Sequence, residues 1–179
     1  MTGHTPGTQL PEEHVPVGVI GTPSPATRTS LQGANWPGGL RSVVPEGYEH
    51  DPTAQAKATL ILTNLRPEEL RSQTDKHWMD NGIVAHSKIC THVGRPAAPF
   101  LRTTHHILCP RHRSTFDATD GAQVVFGPTA RSLPQLPLDV DIEGHLVARG
   151  DLAIPVGAGF RERGDTEAEA EVRNQGRAS

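Results

Sequence analysis

A small antiparallel β fold is what the sequence predicts, on three observations. Gly 18 plus Pro 16 makes 34 of 179 residues, aromatic side chains are only 4%, and short β-suited runs alternate with turn signals through the middle of the chain. Average usage of Gly plus Pro is about 12%, so this excess argues against a helical bundle and for loops joining short strands. The length suits one domain with extensions, and at 35% apolar residues it carries one modest core.

Taken in order, residues 1–42 mix Pro, Gly, Thr and Ser with few large apolar groups and read as a flexible leader, too poor in burial to offset ordering entropy. Residues 58–64 and 82–86 are β-suited, and Arg66-Pro67-Glu68-Glu69-Leu70 reads as one helical turn, with Pro early and acids near its positive end. Further short strands are expected at 104–108, 123–126, 136–140 and 145–148, separated by Asp120-Gly121, Gly127-Pro128, Leu133-Pro134 and Glu143-Gly144. Residues 165–179 are charged and form a polar tail, which leaves 43–164 as the folded domain.

Net charge −3 and a pI near 6.3 supply no global field for nucleic acid or an anionic membrane. No apolar run approaches the roughly 18 residues of a spanning helix, and no secretory signal is readable, so a soluble or membrane-peripheral chain is expected.

Two segments lack strand or helix periodicity and read as loops. They are Cys90-Thr91-His92-Val93-Gly94-Arg95-Pro96 and Cys109-Pro110-Arg111-His112-Arg113-Ser114, which together spell C-x-H-x16-C-x2-H. One thiolate and one imidazole per loop match the donor set of a [2Fe–2S] centre in which two His replace two Cys on one iron. Neutral imidazoles remove two negative charges relative to four thiolates, which raises the potential. Gly94 lets the backbone turn closely and Pro110 stiffens the second loop. A Cys₂His₂ set also serves zinc, though usually as C-x₂₋₄-C with H-x₃₋₅-H, and lone Cys or His residues often fill a core with no metal at all. His105 and His106 fall on an expected strand and read as structural or solvent-facing, and His4, His14, His50 and His77 as surface residues.

With the following Thr115-Phe116-Asp117, Val124-Val125-Phe126-Gly127-Pro128 and Leu133-Pro134-Gln135-Leu136-Pro137, these loops resemble the Rieske iron–sulfur subunit of cytochrome bc complexes, in particular its actinobacterial quinol–cytochrome c reductase branch. The resemblance runs over residues 43–163. It implies a Rieske-type antiparallel β-sandwich with a small cluster-binding subdomain, and one [2Fe–2S] cluster as cofactor. Cys90 and Cys109 would bind one iron, and His92 and His112 the solvent-facing, quinol-facing iron. Gly94 would shape the first loop, Ser114 would offer its hydroxyl to a bridging sulfide, and Gly127-Pro128 would begin a loop covering the cluster. The implied role is electron transport in a respiratory chain, as an oxidoreductase subunit rather than a complete enzyme. Its implied partners are quinol, cytochrome b and a c-type cytochrome.

Three departures from the family pattern bear on that reading. Arg95 and Arg111 stand where two cysteines normally join the loops by a disulfide, a bridge that for a loop of about 15 residues contributes roughly 3 kcal/mol in the chain-entropy model. Phe116 replaces a tyrosine whose hydroxyl donates to a ligand sulfur, a loss that lowers the potential and suits menaquinol. The family's membrane anchor has no counterpart in the leader. Besides the quinol–cytochrome c reductase component, a soluble Rieske ferredoxin serving an oxygenase and a cluster-less scaffold paralogue therefore remain open.

Overall fold

The computed structural model describes residues 15–19, 26, 39–48, 51–97 and 99–157. Among them the strands are β1 (Val15–Val19), β2 (Leu40–Pro45), β3 (Leu60–Asn64), β4 (Ile83–Ser87), β5 (Phe100–Leu101), β6 (His106–Leu108), β7 (Thr115–Asp117), β8 (Gln123–Phe126), β9 (Gln135–Leu136), β10 (Leu138–Val140) and β11 (Leu146–Ala148). One helix, α1 (Pro52–Ala58), and two 3₁₀ turns at Pro67–Glu69 and Lys76–Trp78 join them. The all-β antiparallel architecture with a small second sheet is thus present.

The larger sheet runs β10-β11-β1-β2-β3-β4-β9 and the smaller β5-β6-β7-β8, each neighbouring pair antiparallel. β9 and β10 lie at opposite edges of the larger sheet but are separated in sequence by Pro137 alone. Because consecutive Cα atoms are about 3.8 Å apart, the two edges must meet, and the sheet curls until it is nearly barrel-shaped. Proline lacks the N–H that a continuous strand would need there, so it fits this corner.

Alternation sorts the side chains of β3 and β4 between two cores. Leu60, Leu62, Ile83 and Ala85 point inward to pack with Val17, Val43, Leu136, Leu138, Leu146 and Ala148. Ile61 and Val84 point outward and pack under the smaller sheet with Ile107, Phe116, Ala118, Ala122, Leu133 and both cysteines. Every residue of β4 is consequently buried, because both of its faces are covered.

Several elements differ from the sequence expectation: Leu40–Ser42, in the stretch read as leader, open β2, so the folded part begins before residue 43, and β5 and β7 had no counterpart. Val15–Val19 falls inside the stretch read as a flexible leader, yet it forms β1, wedged between β11 and β2 with Val17 fully buried. Its alternating valines are a strand signal too short to stand out among Gly and Pro, and burying Val17 contributes on the order of 1.5–3 kcal/mol. The rest of the expected leader, apart from Ala26 and 39–42, lies outside the described residues, as does the expected polar tail. The helix α1 had no counterpart in the reading of periodicity. It is set by Asp51, whose Oδ1 accepts from the backbone N–H groups of Thr53 (2.8 Å) and Ala54 (3.2 Å), with Pro52 in its first turn.

Candidate metal centre

The two Cys/His loops leave the ends of β4 and β6 and share one backbone pattern. In the first, Cys90 N–H donates to Arg95 O (2.8 Å) and Gly94 N–H to Cys90 O (2.9 Å). In the second, Cys109 N–H donates to Ser114 O (2.8 Å) and Arg113 N–H to Cys109 O (3.0 Å). Each loop is thereby a closed turn with its cysteine at the base, and in each the fourth residue after the cysteine is left-handed, Gly94 at φ +70° and Arg113 at φ +60°.

The structure brings all four expected donors to one place, in two pairs. Cys90 and Cys109 are fully buried and unbridged, and their thiols lie against each other. Above them, His92 and His112 cross edge to face with Nδ1 atoms 3.1 Å apart, His112 exposed and His92 partly so. Two nitrogens held about 2.1 Å from one ion at a tetrahedral angle stand roughly 3.4 Å apart, so the imidazoles are placed to share an ion. Yet no three of the four donors are mutually within 4.8 Å; among the described residues that condition is met only by Asp141, Glu143 and His145, on the remote β10–β11 hairpin. A single zinc at about 2.3 Å from sulfur and 2.0–2.1 Å from nitrogen would draw all four donors inside that limit. Two separated pairs instead fit a centre with two metal ions.

Burial pushes the Cys90 thiol up to about 11; the His92 backbone N–H works against this, the adjacent Cys109 thiol adds to it, and the Ser114 hydroxyl opposes it. Ser114 Oγ is itself buried, near that sulfur but outside hydrogen-bond geometry and without any other partner, so it is a polar group waiting for an acceptor. Phe116 is fully buried in the same apolar cluster as the two cysteines, which keeps water from their side of the site.

A third segment covers the loops. Gly127 (φ +102°) runs so close that a Cβ on it would stand 2.5 Å from Ser114 Cα and 2.9 Å from Ser114 N, so this position admits only glycine. Farther along, Thr91 Oγ1 donates to Arg131 O (2.6 Å) and meets Thr129 Oγ1 at 2.8 Å, which makes Thr129 the donor in that second bond. Residues 127–131 therefore strap the first loop through Thr91 and the second through Ser114. Pro128, expected in this segment, is exposed. Gly94 differs from Gly127: only Ile89 Cγ2, at 4.0 Å, would meet its Cβ, so the need there is for the backbone angle and not for space. Arg95 and Arg111 are both exposed. His106 is on β6 and His105 precedes it at φ +54°, both partly buried, while His77 is exposed. His4, His14 and His50 lie outside the described residues.

The resemblance predicts a covering loop beginning at Gly127-Pro128, but not the bonds of Thr91 to Thr129 and Arg131, because threonine hydroxyls carry no spacing signature. His86 was also missed. It is fully buried on β4 with neither ring nitrogen hydrogen-bonded, and burial pushes its pKa down to about 4.

Residues 51–137, which span both loops and the strap, match the family model described as the Rieske [2Fe–2S] domain. The chain is 49% identical over 131 residues to the cytochrome bc1 complex Rieske iron–sulfur subunit of Streptomyces lividans, an alignment covering 71% of this chain and 77% of that one. It belongs to the Rieske family. The corresponding subunit of Streptomyces coelicolor is also 49% identical, over 71% of this chain and 37% of that one, and that of Mycobacterium tuberculosis strain H37Rv is 48% identical, over 60% and 26%. The chain thus spans only about a quarter to a third of several of these longer relatives. The soluble domain of Rieske protein II from Sulfolobus acidocaldarius matches with TM-score 0.46 and 21% identity, over 57% of this chain and 66% of that one. The Rieske cofactor is one [2Fe–2S] cluster, and the donors here fit it: two separated Cys and His pairs, with a buried serine hydroxyl lacking an acceptor. No helix among the described residues is long and apolar enough to cross a membrane.

Proposed function

We propose that this Rieske chain is a one-electron carrier, the iron–sulfur component of a quinol–cytochrome c reductase, with Cys90 and Cys109 holding the inner iron and His92 and His112 the outer iron through Nδ1. The carrying observation is the division of four donors from two matched loops into a buried thiol pair and an outward imidazole pair. When bound, the cluster supplies reversible uptake of one electron. Around it, Phe116, Ile107 and Leu133 exclude water from the thiol side, so that exchange with a partner is confined to the imidazole side. With Nδ1 turned inward, each ring presents Nε2 on its outer side, and a ring that has lost its Nε2 proton would accept a hydrogen bond from a quinol hydroxyl and take its proton, returning to the neutral imidazole. Ser114 donates its free hydroxyl toward the cluster, and Gly94, Gly127 and Pro128 shape the loops around it. The relatives' names, subunits of a cytochrome bc1 complex, support cytochrome b and a c-type cytochrome as its partners. The absence of a hydroxyl at Phe116 favours menaquinol as donor.

Protein produced with iron available should hold about two irons and two acid-labile sulfides per chain, with a low average g-value after dithionite reduction. Stoichiometric zinc without sulfide would overturn the reading.

A further inference from the structure

We propose that Asp141, Glu143 and His145, on the turn joining β10 and β11, form a second metal site that binds a single zinc ion. The turn belongs to the larger sheet, outside both ligand loops and the strap, and the site goes beyond the electron-carrier reading without depending on it. Each of the three side chains offers one donor atom, and these atoms lie within 4.8 Å of one another. His145 Nδ1 stands 3.0 Å from Asp141 Oδ2 and 3.4 Å from Glu143 Oε2. Donors about 2.0–2.2 Å from one zinc at tetrahedral angles are roughly 3.4 Å apart, so both separations match the edges of a coordination shell.

Protein groups alone do not satisfy this arrangement. Nδ1 carries at most one proton, so it donates to only one of the two carboxylate oxygens that face it. The other ion pairs between described residues give each carboxylate an arginine: Glu68 and Glu69 have Arg66, Asp117 has Arg71 and Asp139 has Arg149. Asp141 and Glu143 share the one imidazole, and no Lys or Arg among the described residues pairs with either. A divalent ion takes the nitrogen lone pair and both oxygens together and offsets both charges. The apolar residue of the turn, Ile142, is fully exposed (105%), whereas the side chains of Asp141 and His145 are 29% and 22% exposed, so the sheltered side of the turn is given to the donors.

Asp141 is already oriented. Its Oδ1 accepts from the backbone N–H groups of His145 (2.8 Å) and Glu143 (2.9 Å), and these bonds, that from His145 foremost, hold its carboxyl below the usual carboxylate range. Oδ2 is thereby left, ionised, for the ion. One imidazole with two carboxylates suits zinc and its neighbours above Mg(II) or Ca(II), which take all-oxygen shells, and three protein ligands leave the fourth position to water. The ion would tie the end of β10 to the start of β11, the strand that pairs with β1, and so stabilise the fold on binding.

The test uses the cluster-loaded chain with zinc chloride as probe, titrated against a chromogenic chelator, while the EPR signal of the reduced cluster reports that its iron stays in place. One zinc should bind per chain, and the unfolding midpoint should rise with zinc concentration. Asp141→Asn, which keeps the Oδ1 acceptor of the turn, and Glu143→Gln should each weaken zinc about tenfold or more, and His145→Gln should abolish binding. Glu143→Gln should unfold as the parent does without zinc, which makes its loss one of binding. A large excess of Mg(II) or Ca(II) should not compete. No zinc bound, or displacement of cluster iron as the sole effect of zinc, overturns the proposal. Equal zinc binding by Glu143→Gln and His145→Gln overturns it too, by assigning the ion to other histidines. Competition by Ca(II) at equal concentration would show a carboxylate pair in which the imidazole takes no part, and sinks the assignment likewise.

Discussion

The two ligand loops solve one backbone problem with different residues. Both close on the same pair of hydrogen bonds and both need a left-handed residue four places after the cysteine. The first supplies glycine there and is held from outside by the Thr91 hydroxyl; the second puts Arg113 at that angle and is pressed from outside by Gly127. A left-handed arginine costs roughly 1–2 kcal/mol that a glycine does not. The second loop is therefore the strained one, kept in shape by the segment lying on it. The difference teaches that a shared geometry need not rest on shared residues. The covering strap touches both loops, the first through the Thr91 hydrogen bond and the second through the close approach of Gly127 to Ser114.

The largest test of the comparison removes one ligand from each loop. His92→Ala and His112→Ala should both abolish the cluster, seen as loss of iron, sulfide and the reduced EPR signal, because both imidazoles serve the same iron. Retention in either variant would break the pairing of the loops. Next in size is Gly127→Ala. Its Cβ collides with the backbone at Ser114, so the second loop must shift, with a cost on the order of 3 kcal/mol or more in thermal or denaturant unfolding and a reduced iron content.

The strands that present the loops differ as well, since the first loop hangs from β4 and its unpartnered His86. A histidine with an ordinary pKa near 6.5 in the unfolded chain and about 4 in the folded one takes up its proton earlier when unfolded. Stability is then complete above about pH 6.5 and falls as pH drops toward 4, by roughly 3 kcal/mol in all. His86→Leu should flatten that slope in denaturant titrations at pH 4 to 7, and an unchanged slope would locate the acid sensitivity elsewhere.

Thr91→Val should cost about 1 kcal/mol by removing both bonds of its hydroxyl, with Thr129 Oγ1 left to donate to Arg131 O (3.4 Å), and should speed cluster loss on heating. The smallest and sharpest pair is Gly94→Ala against Arg113→Gly. The first should destabilise and the second stabilise by about 1 kcal/mol each, because each exchanges the same backbone strain in opposite directions. Equal signs in unfolding midpoints would refute the equivalence of the two positions.

Much of this was legible in the chain itself. The spacing of Cys90, His92, Cys109 and His112 carries chemistry that few other folds require, and the runs at 123–126 and around 60–64 and 83–87 alternate clearly enough to be placed. Legibility failed where the determinant is remote or generic. Nothing in Val15–Val19 announces that β2 and β11 leave a gap for it, and nothing at His86 distinguishes a buried imidazole from a surface one. The division of the donors into two pairs, which separates a two-iron centre from a zinc site, depends on how far apart two loops are held, and residue identity does not carry that distance.

The joining of the sheet's edges at Pro137 has a consequence for how the protein is assembled. Residues 88–134, the whole metal-bearing portion, lie between the neighbouring strands β4 and β9, so they form a long insertion within one strand pair. Closure of the curled sheet instead depends on contacts such as Val15 with Ala148, at nearly opposite ends of the chain. Contacts of short sequence separation cost less loop-closure entropy than distant ones. Bringing the two ligand loops together therefore costs less chain entropy than closing the seam between β1 and β11 behind them.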